Sequence, residues 1–319
     1  MSGIRFAWVK ELDEVMTAGA AKREFLAMHP RPAAFAFYCE HPECKQPSGK
    51  RTRVTCVNYK KSPSEQDQSV VVHYRQLDEH VAGCPYYDPE EASDDNGKPK
   101  TTRNSGLKTS DAFDIFDPAD DAGSDGIKRP TPPEAPSQGP SSSSSSTGSR
   151  PQQPRRERAP SPTSTRFIED LAAIHVQAKK DSTADALLER DIRVKGGPTV
   201  KLRFLFSHMS KGELGREAIW YGGCHLKRYG KGFSLVFRDK VGGNKVSTYI
   251  ASDEVEQYRY RRQLEELLVD AETRRYVTAY VWGSIMRSDR DGTLSLRPAR
   301  LQHLAIILGP PKTKDKTQD

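Results

Sequence analysis

Two short pairs, Cys39-x4-Cys44 and His80-x3-Cys84, constrain this chain more than anything else in it. Each pair sets two good ligands for a soft or borderline divalent cation a few residues apart, so each can grip one edge of a tetrahedron. The second spacing is one helical turn, which puts His80 and Cys84 on one face. Free cysteines are often plain buried residues, but two such pairs together argue for a site. The expected ligands are Cys39, Cys44, His80 and Cys84, the expected ion is zinc, and its expected role is structural. His41 and His73 stay open as replacements for one of the four. Three thiolates and an imidazole also suit an iron–sulfur centre. Cys56, in the alternating run Arg53-Val54-Thr55-Cys56-Val57, reads as a buried strand residue.

A chain of 319 residues has room for two ordinary domains. Its mean hydropathy of −0.76 says that part of it does not pack. Five unevenly placed cysteines do not make a secreted disulfide scaffold, and pairs beside histidine suit a reducing compartment. The opening Met-Ser-Gly-Ile-Arg-Phe-Ala-Trp lacks the apolar run of a secretory signal. No stretch reaches the roughly 20 apolar residues of a membrane span. These features predict a soluble, cytoplasmic protein (nuclear in a eukaryote) with no membrane partner. The net charge is 0 over residues 1–90, −1 over 91–165 and +8 over 166–319, for +7 in all. A positive surface concentrated in one segment attracts polyanions, and nucleic acid is the usual one.

The pattern predicts an α+β, multidomain chain. Residues 1–88 read as a helix over 11–28 plus a zinc-finger domain. In that domain a strand over 33–37 leads into the cysteine knuckle. A hairpin follows over 52–59 and 69–74, and a short helix over 77–83 delivers His80. The residues Phe37, Cys39, Cys44, His73, Tyr74, Arg75, His80, Gly83 and Cys84 carry a resemblance to the zinc-binding N-terminal segments of competence-protein-type and mobile-element bacterial proteins. That resemblance implies a recognition module in a mobile-element or defence setting. It departs from the tighter Cys-x2-Cys knuckle of such domains, and no nuclease core follows it.

Residues 89–165 are rich in Ser, Pro, Gly and Asp, and are expected to be a disordered linker. Within it, Asp111-Ala112-Phe113-Asp114-Ile115-Phe116-Asp117 stands out. Phe113, Ile115 and Phe116 among carboxylates form a candidate motif for docking a protein partner.

Beyond an amphipathic helix near 167–174 and a strand over 202–206, alternation predicts strands over 218–229, 233–237, 246–250 and 277–281, and a fifth over 294–308. A helix over 252–269, with Ser252 and Asp253 as cap candidates, separates the third from the fourth. Three strands, one intervening helix and two strands resembles an OB-fold barrel over 166–308. The bent first strand, broken at Gly222-Gly223, fits that likeness. A disordered tail is expected over 309–319.

Such barrels often bind single-stranded nucleic acid across strands two and three, through cations and stacking rings. The candidates here are Trp220, Tyr221, Lys227, Arg228, Tyr229, Lys231, Arg238, Lys245 and Tyr249. Tyr249 lies opposite Val246, Thr248 and Ile250, which favours an outward ring. Phe233 and Phe237 share a face with Leu235 and are expected inside. A second ring set, Tyr276, Tyr280 and Trp282, lies opposite Val277, Ala279 and Val281. No phosphate-cradling glycine loop, nucleophile elbow or His-Glu-x2-His pair is present, so the chain is not expected to be an enzyme. The expected function is a nucleic-acid-binding accessory protein that takes single-stranded DNA or RNA. The alternative is a protein–protein adaptor that uses both modules and the Phe113–Phe116 motif.

Overall fold

The chain builds an open five-stranded sheet near its N-terminus and a closed five-stranded barrel near its C-terminus, joined by a buried ion pair. The computed structural model describes residues 4–45, 49, 51–62, 72–87, 113–118, 164–180, 185–288 and 292–312. The N-terminal elements are β1 (Ala7–Val9), β2 (Glu14–Met16), α1 (Ala18–Ala27), β3 (Phe37–Cys39), β4 (Arg53–Val57) and β5 (His73–Gln76). The strands form one antiparallel sheet in the order β2-β1-β3-β4-β5. Ala7, Val9, Met16, Phe37, Val54, Cys56 and Tyr74 point to the covered face. There α1 lays down Ala21, Phe25 and Leu26, and the rings of Phe25, Phe35, Phe37 and Tyr59 meet edge to face. Thr17 caps α1 by accepting from the Ala20 N–H.

Three local expectations change here. The helix expected over 11–28 is a hairpin strand followed by α1, because Leu12 and Asp13 form the turn that returns β2 onto β1. The strand expected over 33–37 starts at Phe37 and carries Cys39. No helix forms over 77–83; His80 sits on an irregular segment after β5, closed by a turn in which the Cys84 N–H donates to the Val81 carbonyl at 3.0 Å. Gly83 has φ +98°, which a helix does not permit and glycine adopts freely. The sequence spacing fits a helical turn and this tight turn equally well.

The expected linker supplies two strands, β6 (Ile115–Phe116) and β7 (Ser164–Thr165). Its residues 89–112 and 119–163 lie outside the described part. Then follow α2 (Ile168–Lys180), α3 (Asp185–Leu188), β8 (Asp191–Val194), β9 (Thr199–Lys201), α4 (Leu202–Leu205) and β10 (Phe206–His208). The strand expected over 202–206 is thus mostly one helical turn that buries Leu202 and Leu205, since so short an apolar run suits either geometry. The strands β7-β6-β8-β9 make a small sheet.

The barrel is built from β11 (Glu217–Tyr229), β12 (Gly232–Val241), β13 (Asn244–Ile250), α5 (Ser252–Gln257), α6 (Arg261–Glu272), β14 (Val277–Arg287), β15 (Leu294–Leu296) and β16 (Leu304–Leu308). The sheet closes because β11 pairs with both β12 and β14, giving the ring β11-β12-β13-β15-β14. β11 changes partner near Gly222 and Gly223, and Cys224 faces Phe237 on one side and Val277 on the other. A Cβ on Gly222 would stand 3.2 Å from Met209 Cβ and 3.4 Å from the Phe237 ring. Glycine therefore lets the strand bend against its own core. Inside the barrel lie Trp220, Phe233, Leu235, Phe237, Val246, Ile250, Val281 and Ile285, with Val255 and Leu268 of the helices against one end.

The single helix expected over 252–269 is two. Ala251 caps α5, while Ser252 Oγ accepts from the Gly232 N–H at 2.9 Å. The break at 258–260 turns Tyr260 toward α1, where its hydroxyl donates to Glu24 at 2.9 Å. The expected fifth strand is also two, because Pro298 has no N–H to continue the ladder; the chain passes through a short turn and returns as β16 beside β14. Gly309 and Lys312 donate backbone bonds to Tyr276 and Thr273, so this part of the expected tail is held against the barrel. Residues 313–319 lie outside the described part.

A second layer covers the outside of β11 and β14. Phe116, Ile168, Leu171, Ile174, Leu187 and Ile192 pack there against Ile219, Tyr280 and Trp282. His175 lies within this layer, stacked on Phe206 at 4.1 Å and hydrogen-bonded to the Tyr280 hydroxyl at 3.1 Å. The N-terminal unit docks on the same side. Arg23 and Asp170 form a two-pronged ion pair at 2.7 and 3.3 Å, their side chains only 7% and 9% exposed. The Thr165 hydroxyl donates to Asp170 at 2.7 Å, and the Arg23 guanidinium lies 3.7 Å from the Phe167 ring centroid. A Cβ on Gly19 would stand 2.5 Å from Asp170 Oδ1, so glycine permits α1 to approach α2.

Candidate metal centre and outer barrel face

β3 and the knuckle after it hold Cys39 and Cys44; the segment after β5 holds His80 and Cys84. The register of β3, β4 and β5 brings the two pairs, far apart in sequence, to one end of the sheet. All four side chains are buried, and their ligand atoms lie within 4.8 Å of one another. Cys39 Sγ is 3.8 Å from Cys84 Sγ, and His80 Nδ1 is 3.5 Å from Cys44 Sγ and 3.4 Å from Cys84 Sγ. A tetrahedral ion with ligand bonds of about 2.0–2.3 Å separates its sulfurs by about 3.8 Å and sulfur from nitrogen by about 3.5 Å. The donor set therefore fits such an ion. His41 and His73 stand outside this cluster: the His41 backbone N–H donates to Cys39 Sγ at 3.4 Å, and His73 accepts from Arg75 at 3.0 Å. Cys56 is buried in β4, as expected.

The surroundings favour one thiolate, at Cys84, and hold the other two thiols protonated. Cys39 accepts the His41 N–H, and Cys84 accepts the Tyr86 N–H at 3.5 Å. Hydrogen bonds from the Cys39 thiol and then the His80 ring hold Cys84 down at about 4. Cys39 is pushed up chiefly because its thiol donates to Cys84, and burial pushes Cys44 up. Three sulfurs in so small a volume cannot all be anionic unless a cation lies between them, and a divalent ion would supply that charge. An ion held there would displace the protons that Cys39 and Cys44 retain.

The outer face of the barrel carries the other candidate residues. Lys227, Ser234 and Tyr249 lie side by side on β11, β12 and β13. Tyr249 and Tyr229 are 55% and 52% exposed, with ring centroids 6.3 Å apart. Further along, Lys240 and Lys245 are direct cross-strand partners. Like charges in that relation repel, and among the described residues no carboxylate pairs with Lys227, Lys240 or Lys245. Lys240 sits where a bulge shifts the β12 register, so alternation alone does not place it on this face. Arg228 and Lys231 have carboxylate partners, Glu272 at 3.8 Å and Glu256 at 3.0 Å. Arg238 donates to the Arg275 carbonyl at 3.2 Å and covers the Tyr276 ring.

Two predicted contact residues are corrected. Trp220 is fully buried in the barrel, its indole N–H donating to the Gly283 carbonyl at 3.0 Å. Tyr221 stacks on Tyr280 at 5.3 Å and accepts from Lys179 at 3.0 Å, which commits it to the α2 layer. Tyr280 and Trp282 are buried in that layer too. The docking motif is corrected likewise. Phe116 is fully buried against Trp282, with Phe113 and Ile115 partly buried, so the motif is engaged within its own chain.

No family model matches the chain, and no curated protein matches it. Among solved structures it is similar to OBody AM3L15 bound to hen egg-white lysozyme, at 18% identity and a TM-score of 0.22, over 31% of this chain and 85% of that one. It is likewise similar to OBody AM3L09 bound to hen egg-white lysozyme, at 19% identity and 0.21, over 30% and 86%. No helix among the described residues is long and apolar enough to cross a membrane.

Proposed function

We propose that this is a nucleic-acid-binding accessory protein, in which an OB-like barrel holds single-stranded DNA or RNA and the N-terminal unit folds around a structural zinc. The barrel order, with β13 and β15 parallel and the remaining ring pairs antiparallel, is consistent with an OB barrel. The second and third strands of such a barrel form its usual oligonucleotide face. The observation that carries the reading is the row Lys227–Ser234–Tyr249, flanked by Tyr229 and by the opposed lysines 240 and 245. Two solvent-facing rings offer stacking surfaces, and cations without carboxylate partners offer phosphate contacts.

Fluorescence anisotropy of the full chain with a labelled single-stranded oligonucleotide tests it. Binding should weaken steeply with salt, and a Lys227→Ala, Lys240→Ala, Lys245→Ala variant should show a salt slope shallower by about 2–3. No binding at low salt, or a triple variant that binds like the parent, refutes the reading. Zinc is favoured over an iron–sulfur centre by ligand spacings that suit one ion; metal analysis of the purified chain decides between them.

A further inference from the structure

Strand β6 has the position of a bound peptide. It lies between β7 and β8, parallel to both, and borders no other strand. The Arg193 and Lys195 N–H groups donate to the Asp114 and Phe116 carbonyls at 2.9 and 2.8 Å, and the Asp117 N–H donates to the Thr165 carbonyl at 2.9 Å. The side chains are read one by one. The Asp114 carboxylate is gripped by Arg190 and, at 2.5 Å, by Arg5. Phe116 meets the Trp282 ring edge to face at 5.1 Å. Lys195 pairs with Asp117 at 2.8 Å. Apart from Arg5, the partners named here belong to the chain after residue 163.

We infer that the gap between β7 and β8 is a strand-accepting site for peptides of the form Asp-x-Phe-Asp, and that a second copy of this chain fills it with its own residues 114–117. Main-chain bonds supply affinity in this mode, and side-chain pockets supply selectivity. The second copy is the occupant because its segment matches every contact in the groove. Chain length allows the exchange: 25 residues separate Tyr87 from Phe113, and so many can span up to about 80 Å. Exchange depends on concentration, because the segment in the same chain competes at the effective concentration set by its connections. The site is independent of the barrel face proposed for nucleic acid.

Two full-length variants test the inference. Asp114→Ala, Phe116→Ala keeps the groove and loses the strand; Arg190→Glu, Trp282→Ala keeps the strand and loses the groove. Mixed, they should form a one-to-one heterodimer by size-exclusion chromatography with light scattering, while each alone stays monomeric. A labelled peptide of residues 113–118 should bind the strand-less variant at least about tenfold more tightly than the parent, whose groove is filled. Two folded variants that stay apart overturn the inference, as does a peptide that binds parent and variant alike. Should the strand-less variant fail to fold, added peptide should restore it, and failure to do so also overturns the inference.

Discussion

The N-terminal sheet and the barrel each join five strands and bury one face, but by different means. Strands of the first are three to five residues long and form an open sheet, with the Cys/His cluster at one end. The longest barrel strands run 13, 10 and 11 residues, and the ring closes on itself around a core dominated by aliphatic and aromatic side chains. A closed sheet holds its apolar interior without help. A short open one gains a fixed end when four side chains share an ion. The difference is one of means: the short sheet has a Cys/His cluster at one end, and the barrel closes through strand pairing alone.

Removing the metal should break this comparison most sharply. Chelation, or Cys44→Ser, should unfold the N-terminal unit at a cost of about 10 kcal/mol of metal-linked stability, while the barrel keeps its thermal transition. Calorimetry should resolve one lost transition and one retained. Next in size is the joint between the regions. Arg23→Ala leaves Asp170 buried without its cation and should cost about 3–5 kcal/mol, seen by denaturant titration. Glu24→Ala, which removes the partner of Arg259 and Tyr260, should cost far less. On the barrel face, Tyr249→Ala should weaken oligonucleotide binding by about 1–3 kcal/mol without moving the melting temperature.

A further effect is one of pH. Burial, and then Lys179, pull the His175 imidazole down to about 3. Its usual value is about 6.5, so between those limits the unfolded chain binds a proton that the folded protein refuses. Stability is intact above about 6.5 and falls with pH below it, by at most about 1.4 kcal/mol per unit. His175→Gln should flatten that slope in the barrel transition; an unchanged slope would place the effect on another group.

The Cys/His cluster was legible because paired Cys and His at short spacing have few other uses, and the register of β3, β4 and β5 had only to bring the pairs together. The barrel strands were legible because Phe233, Leu235, Phe237, Val246, Thr248 and Ile250 alternate cleanly. What alternation does not give is which face a second layer will cover. Trp220 points into the core, whereas Tyr221, Tyr280 and Trp282 point outward and are buried only because α2 and β6 lie over them. The joint between the units was hidden for a similar reason. Arg23 and Asp170 look like solvated charges until α1 meets α2, and Gly19, which permits the meeting, reads as a weak point in a helix. Phe116 stood out in an acidic stretch, but nothing local says that its pocket lies in the same polypeptide.

The two ways of closing a sheet also set a schedule for the emerging chain. Every member of the Cys/His cluster has been synthesised by residue 84, so it can assemble while most of the polypeptide is still unmade. The barrel has no such freedom. β11 must wait for β14, more than fifty residues later, before its first half finds a partner in the ring, and until then the apolar side of a 13-residue strand lies open to solvent and to neighbouring polypeptides.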